Sequence, residues 1–288
     1  MNKYDLIVVG QGPCGISCAI YVKRAGLSVA VIGAGVGALE KAERVENFYG
    51  AADNPSGAEL AARGVAQAKE LGVDVISAQV TSVSMDAPFA VKTDKGEFTA
   101  DAVLLATGKA RKTSKIEGVE RLRGSGVSFC AVCDGFFYRK KSIGLIGAGA
   151  YARAELEELM HFTNDITVFT NGEQIECEFP EDVKIVETPI AQICGEERVT
   201  AVETTDGTKF EVAGVFVAEG MASSSDLAEK AGIMTEASNI IVDEKFQTNV
   251  EGIYAAGDCI GGLLQISKAV SDGAQAAMSI IPRLRARR

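Results

Sequence analysis

Two strand–glycine turn–helix units, whose turns begin 137 residues apart at Gly10 and Gly147, constrain this chain more than any other feature of its sequence. In the first unit the apolar run Tyr4-Asp5-Leu6-Ile7-Val8-Val9 reads as a buried parallel strand. It meets Gly10-Gln11-Gly12-Pro13-Cys14-Gly15, then apolar residues at helical spacing from Ile16 to Arg24, then a strand from Leu27 to Ile32. The second unit opens with Ser142 to Ile146 and turns through Gly147-Ala148-Gly149-Ala150-Tyr151-Ala152. A helix to about Phe162 and a strand from Ile166 to Phe169 complete it. Each is a βαβ unit with its glycine turn between strand and helix.

Two such units imply an α/β fold of two doubly wound, three-layer nucleotide-binding-type domains. At 288 residues the chain has the length for two. Hairpin-like segments follow each unit, Phe89 to Thr99 and Thr200 to Val212. The stretch from Ile240 to Arg288 makes no third unit. It reads as an extended segment, a turn at Ala255-Ala256-Gly257-Asp258, and a helix from Gln265 to about Ile280. We expect it to return and complete the first domain, so that the second is inserted in the first. The expected boundaries are 1–111 with 241–288, and 112–240.

Composition excludes several classes. An apolar fraction of 47% and a charged fraction of 24% suit a soluble globular chain, and no apolar run of ~18 residues offers a membrane span. The start, Met1-Asn2-Lys3-Tyr4-Asp5, has no signal-peptide pattern, and seven irregularly spaced cysteines form no secreted disulfide framework. A cytoplasmic location is expected. The net charge of −10 argues against nucleic acid, whose binding rests on neutralising phosphates. Basic residues cluster at Lys109, Arg111, Lys112 and Lys115 and from Arg283 to Arg288; solvated surface is their default reading.

In Gly10-x-Gly12-x-x-Gly15 the first glycine makes the tight turn, the second lets backbone approach a pyrophosphate, and the third lets helix and strand pack closely. Pro13 opens the helix. The motif alone does not separate FAD from NAD. The next strand ends Val31-Ile32-Gly33, without the usual acidic residue for a ribose, which leaves Glu40 or a backbone group for that task. Two further segments favour FAD. Val103-Leu104-Leu105-Ala106-Thr107-Gly108 is a buried strand ending in a small-residue turn; Gly252-Ile253-Tyr254-Ala255-Ala256-Gly257-Asp258 is another, followed by Gln265-Ile266 at a helix start. An aspartate there suits ribityl hydroxyls, and a helix N-terminus suits negative charge on a reduced isoalloxazine.

These segments resemble the flavin domain of the low-molecular-weight thioredoxin reductase family. That family has an "ATG" motif, matched by Ala106-Thr107-Gly108, and a "GIYAAGD" run with a downstream Gln-Ile and Asp-Gly, matched by Gln265-Ile266 and Asp272-Gly273. Val45-Glu46-Asn47-Phe48-Tyr49-Gly50 is similar to its "VENFPG" turn beside the flavin, with Tyr49 for proline. The resemblance covers nearly the whole chain, implies FAD as cofactor and a homodimer, and places Asn47 near the flavin.

Cys130-Ala131-Val132-Cys133-Asp134-Gly135 is the most specific segment. Two cysteines so spaced can close a small disulfide ring, and their surroundings can lower one thiol's pKa. Asp134 is placed to move a proton to or from a thiol. Zinc needs four ligands, and neither a second CxxC nor a histidine pair exists, since His161 is the only histidine. Two inert thiols remain the plain alternative. The family's redox centre, "CATCDG", resembles this segment and implies that Cys133 is the flavin-proximal sulfur. Cys14 and Cys18 read as small packing residues, and Cys177, Cys194 and Cys259 have no local partner.

The second glycine turn departs from the family. NADPH-using members carry a "GGGDSAxEE"-like turn and a basic "HRRxxxR" run that holds the 2′-phosphate. Here Tyr151 and Arg153 stand at positions usually small or apolar. The strand Ile166 to Phe169 runs into Thr170-Asn171-Gly172-Glu173-Gln174-Ile175-Glu176, where Glu173, Glu176 and Glu178 would repel a phosphate. This reads as a degenerate nucleotide domain that carries Cys130 and Cys133. Ferredoxin-dependent flavin thioredoxin reductases are a branch with this character. The expectation is that electrons pass from ferredoxin through FAD to the Cys130–Cys133 disulfide and on to thioredoxin. Arg111 and Arg283 to Arg288 are then candidate ferredoxin docking points. The alternatives are an NADPH-dependent thioredoxin reductase, an FAD-dependent dithiol oxidase using oxygen, and a flavin-bound redox sensor without turnover.

Overall fold

The computed structural model describes residues 2–35, 37–108 and 114–287. The chain forms two compact units, residues 1–111 with 223–288, and residues 112–222. The first unit begins with β1 (Asn2–Val9), α1 (Pro13–Arg24), β2 (Val29–Gly33), α2 (Gly57–Glu70), β3 (Asp74–Ser77), β4 (Val80–Val83), β5 (Phe89–Thr93) and β6 (Gly96–Leu105). The second unit contains β7 (Val127–Ser128), α3 (Ala131–Asp134), β8 (Ile143–Ile146), α4 (Ala150–Met160), β9 (Ile166–Phe169) and β10 (Lys184–Val186). It continues through β11 (Ile190–Cys194), β12 (Ala201–Thr204), β13 (Lys209–Glu211) and β14 (Gly214–Val217). The chain then rejoins the first unit as α5 (Ser224–Lys230), β15 (Thr235–Glu236), β16 (Asn239–Ile240), β17 (Ile253–Ala255) and α6 (Ile266–Ala286).

The first sheet has the order β3-β2-β1-β6-β5-β4, with β17 also pairing β6. Strands β3, β2, β1, β6 and β17 are parallel, whereas β4, β5 and β6 form an antiparallel meander. One edge of β6 serves two partners: β5 along 96–100 and β17 along 103–105. Leu6, Ile7 and Val8 are fully buried, so β1 is covered on both faces and its sequence is a continuous apolar run, not an alternation. Leu6, Val8, Val31 and Leu104 face one layer with Cys18 and Val22 of α1 and Ala276, Ile280 and Leu284 of α6. Gly273 lets α6 lie against α1, because a Cβ there would overlap the Cys14 carbonyl.

Two expectations need correction. Residues 223–240 belong with the first unit, so the second linker falls near 222, not 240. Lys230 Nζ donates to Thr81 O at 3.0 Å and Asn249 Nδ2 to Gly232 O at 2.9 Å, tethers between residues distant in sequence that no local pattern announces. Helix α6 also runs past Ile280 to Ala286, through Pro282. The proline removes one backbone donor, but Ile281 and Leu284 are buried and keep the last turns in place.

In the second unit β10-β9-β8-β14-β7 form an all-parallel sheet, and β11-β12-β13 a small antiparallel one. Successive residues alternate faces. Ile143 and Leu145 of β8, with Val168 of β9 and Phe216 of β14, pack on Leu156 and Leu159 of α4. Ile146, Phe169, Val215 and Val217 pack on Ile193 and Val202 of the antiparallel sheet. The result is three layers, helix, parallel sheet and antiparallel sheet, and Cys130 directly precedes α3 at their edge.

Candidate active site

The first unit holds a cavity of about 500 Å³ where β1 meets α1 and the Gly257 turn meets α6. Gly10 has φ +118°, and a Cβ there would run into the Ala106 carbonyl at the end of β6, so only glycine fits that turn. Gly12, by contrast, has no other described residue within 4 Å of where a Cβ would stand at the cavity wall, and as N-cap of α1 it offers no side-chain cap to the helix N–H groups. Gln265, N-cap of α6, likewise makes no side-chain cap. Two helix N-termini thus border one cavity, an arrangement suited to negative charge at two separate places.

Of the residues expected at a cofactor, Gly10, Gly12, Pro13, Asn47, Ala106, Thr107, Gly108, Asp258, Gln265 and Ile266 line this cavity. Gly15 and Gly257 do not. Gly15 lies where a Cβ would overlap the Gly10 carbonyl and meet Val8, so it serves helix–strand packing. Gly257 has φ +83° and donates its N–H to Asp272 Oδ2 at 3.1 Å. Asn47 Nδ2 donates to Gln265 Oε1 at 3.0 Å, joining the loop after β2 to the start of α6. Lys268 Nζ reaches Asp272 Oδ2 and the carbonyls of Gly257 and Gly261 at 2.8–2.9 Å, which fixes the Asp258 turn onto α6.

The loop after β2 also lines the cavity, at positions outside the sequence motifs. Gly35, Ala38, Leu39 and Arg44 line it, whereas Glu40 is exposed and off the wall. No motif marks those positions, because the loop contributes mostly backbone and small side chains. The residues present fit FAD. Buried Thr107 Oγ1 finds no hydrogen-bond partner among the described residues and belongs to the wall, and Gly12 leaves open space where a diphosphate would approach. Burial pushes the Cys259 thiol up to about 12 and holds Cys14 and Cys18 well above the ordinary thiol range, which disfavours their thiolates.

In the second unit Cys130 and Cys133 form a disulfide. Cys130 is the N-cap of the one-turn helix α3, and Cys133 N donates to its sulfur at 3.1 Å. Cys130 is 2% exposed, while Cys133 is on the surface beside Val132, Phe136 and Phe137. Asp134 Oδ2 accepts from Ser128 Oγ at 2.6 Å, and the same hydroxyl accepts from Cys130 N at 3.1 Å. Burial and the Asp134 charge raise the Tyr138 phenol. Ser128 was not legible as a site residue: a serine two positions before a cysteine carries no chemical signal of its own.

The second glycine turn folds as a Rossmann turn but is occupied by its own chain. Gly147 has φ +149°, and a Cβ there would overlap the Ala218 carbonyl. Glu176 N donates to Ala148 O at 3.0 Å, and a Cβ on Gly149 would lie 3.5 Å from Glu176 Oε2. A carboxylate therefore stands at the N-terminus of α4. Arg153 pairs with Glu157 at 2.8 Å and donates to Glu178 O at 3.2 Å. Of the proposed docking arginines, Arg283 pairs with Glu251 at 2.6 Å, Arg285 donates to Ala25 O and Arg287 to Asp101 O, so all three first tether α6. Lys109, Arg111, Lys112 and Arg288 lie outside the described residues. No described helix is long and apolar enough to cross a membrane.

Two Rossmann-like α/β units, one with a cavity bordered by two helix N-termini and the other with a CxxC disulfide, define a flavin-linked disulfide oxidoreductase. The chain belongs to the pyridine nucleotide-disulphide oxidoreductase family, whose sequence profile matches residues 4–273. It is similar to the thioredoxin reductase of Bacillus subtilis, 33% identical over an aligned length of 296, with 96% of this chain and 93% of that one covered. The thioredoxin reductase of Aquifex aeolicus is 31% identical, with coverages of 96% and 92%. Among solved structures, the atypical thioredoxin reductase TRi from Desulfovibrio vulgaris Hildenborough superposes with a TM-score of 0.92 at 33% identity, covering 98% of each chain. A ferredoxin-flavin thioredoxin reductase from Clostridium acetobutylicum gives 0.76 at 29% identity, covering 99% of each. The chain is thus a flavin oxidoreductase of the thioredoxin reductase type, and its cofactor is FAD.

Proposed function

We propose that this protein reduces thioredoxin through the Cys130–Cys133 disulfide and receives its electrons from a ferredoxin-class one-electron carrier, not from NADPH. The observation that carries the donor assignment is the Glu176 carboxylate beside Gly149. In a pyridine-nucleotide site that helix N-terminus faces the diphosphate. Here it faces a negative side chain, with Glu173 and Glu178 nearby in sequence, and the one arginine of α4 is paired to Glu157. A dinucleotide phosphate would meet repulsion where it needs donors. The likeness to a ferredoxin-flavin thioredoxin reductase supports the same reading.

Bound FAD supplies a centre that can be loaded one electron at a time and can give two to a disulfide. The groups proposed to hold it are the Gly10–Pro13 turn, Asn47, Ala106–Gly108 and the Asp258 and Gln265–Ile266 region. Cleavage of the Cys130–Cys133 bond takes up two electrons and two protons. Asp134, oriented by Ser128, is the group proposed to move a proton at the sulfurs. The dithiol then exchanges with a thioredoxin disulfide.

Anaerobic mixing of the purified, FAD-loaded protein with NADPH, NADH or reduced ferredoxin tests this. Ferredoxin should bleach the visible flavin absorption and support thioredoxin reduction, and both pyridine nucleotides should leave the spectrum unchanged. Rapid bleaching by NADPH would sink the donor assignment.

A further inference from the structure

Helix α4 faces the redox centre with two buried polar side chains that the functions above do not use. Tyr151 and Glu155 are four residues apart, hence on one face of the helix, and each is 1% exposed. Tyr151 Oη donates to Phe129 O at 3.3 Å. Glu155 Oε2 accepts from Ala131 N at 2.7 Å. Phe129 and Ala131 flank Cys130, so two successive turns of α4 grip the backbone on both sides of the buried sulfur. Tyr151 is also the bulky residue that departs from the small residues of a nucleotide-binding turn.

We propose that Tyr151 and Glu155 are positioning residues for the disulfide, making α4 a brace that sets the dithiol–disulfide equilibrium. The inference rests on the redox role of Cys130 and Cys133 proposed above. The physical reason lies in the donors around Cys130. As N-cap of α3, a Cys130 thiolate would draw stabilisation from the first N–H groups of that turn. Cys133 N is available to it at 3.1 Å. Ala131 N is not, because Glu155 holds it. Withholding a donor from the thiolate disfavours the reduced pair and keeps its potential low; stabilising the reduced form is what makes a dithiol pair a strong oxidant. A low potential suits a centre that must pass electrons onward. Tyr151 keeps the grip by fixing the Phe129 carbonyl, so that the turn cannot rotate Ala131 N towards the sulfur.

The test is the equilibrium of the FAD-loaded full chain with dithiothreitol redox buffers, read by alkylation and mass shift. Glu155→Ala should favour the dithiol about tenfold, which is about 30 mV for a two-electron couple. It should also lower the pH at which thiolate absorption appears. Glu155→Gln retains an accepting oxygen and should restore the equilibrium to within threefold of wild type. Tyr151→Phe removes only a hydroxyl and should shift it about threefold in the direction of Glu155→Ala. If Glu155→Ala does not fold, Tyr151→Phe decides: a value within twofold of wild type overturns the brace. So does such a value for both variants when both fold. Thioredoxin reduction by Cys130→Ser would sink the functional reading, whereas a normal couple indifferent to both substitutions sinks the brace alone.

Discussion

Ser128 Oγ gives Asp134 its 2.6 Å hydrogen bond while accepting from the backbone N–H of Cys130. One buried hydroxyl thereby joins the group proposed to handle protons to the segment that holds the disulfide. Asp134→Asn should lower thioredoxin reduction by about 10²-fold, the usual worth of a positioned acid or base. Ser128→Ala leaves the carboxylate in place but unoriented, and about a tenfold loss is expected, with an altered pH–rate profile. Wild-type turnover in Ser128→Ala at every pH would contradict the assignment.

Gly10 and Gly12 should separate folding from cofactor binding. Gly10→Ala forces a side chain at φ +118° onto the Ala106 carbonyl, and a loss of about 3 kcal/mol in urea unfolding is expected. Gly12→Ala meets no atom of the described residues within 4 Å, so the apoprotein should unfold as wild type does. Its methyl group projects at the cavity wall, and FAD affinity by fluorescence titration should fall at least about tenfold, or about 1.4 kcal/mol. Equal FAD affinity in Gly12→Ala and wild type would remove this cavity from consideration as the diphosphate site.

Lys268 holds Asp272 and two carbonyls of the Asp258 turn. The side chains of the pair are only 20% and 9% exposed, so Lys268→Met strands a shielded carboxylate. Such a broken pair costs about 3 kcal/mol. Denaturant unfolding of the apoprotein should show that loss, and FAD release should quicken because the turn is no longer fixed. Removing both partners, as Lys268→Met with Asp272→Leu, should recover part of the stability.

Burial raises the thiols of Cys14, Cys18 and Cys259, the last to about 12. The folded protein then keeps protons that the unfolded chain releases above about pH 8.5. Stability from these thiols is complete below that pH and declines as pH rises towards 12, by at most about 1.4 kcal/mol per pH unit per thiol. Urea unfolding between pH 8 and 10 should show the decline, and Cys259→Ala should flatten it. Alkylation of the reduced native protein at pH 8.5 should label Cys133 and leave these three unmodified.

Much of the fold is legible because its signals are local. The apolar run of β1, the glycines of both turns and the helical spacing of α1 and α4 each act within a dozen residues, and each states its own conformation. The CxxC pair is legible for the same reason, since ring closure needs only two cysteines three positions apart. The boundary near 240 failed because α5 has no intrinsic preference for one unit. Its allegiance rests on contacts such as Lys230 with Thr81, 149 residues apart. Helix α6 runs past its expected end near Ile280 and through Pro282, with Leu284 buried in the α1–α6 layer, a contact that no local pattern announces.

By itself, then, the sequence determined two α/β units, each with a dinucleotide-type glycine turn, and a CxxC pair able to close a small ring, all encoded by short-range steric and apolar patterns. Only the tertiary structure decided what surrounds them. Ser128, Tyr151 and Glu155 are ordinary polar residues along the chain; folding brings them to the backbone of Cys130 and to Asp134. Glu176 is one of several acidic residues after a strand until the chain turns it back against Gly149. Hydrogen bonds and charge act over a few ångströms, and which groups come that close is settled by long-range strand pairing and core packing, not by neighbours in sequence.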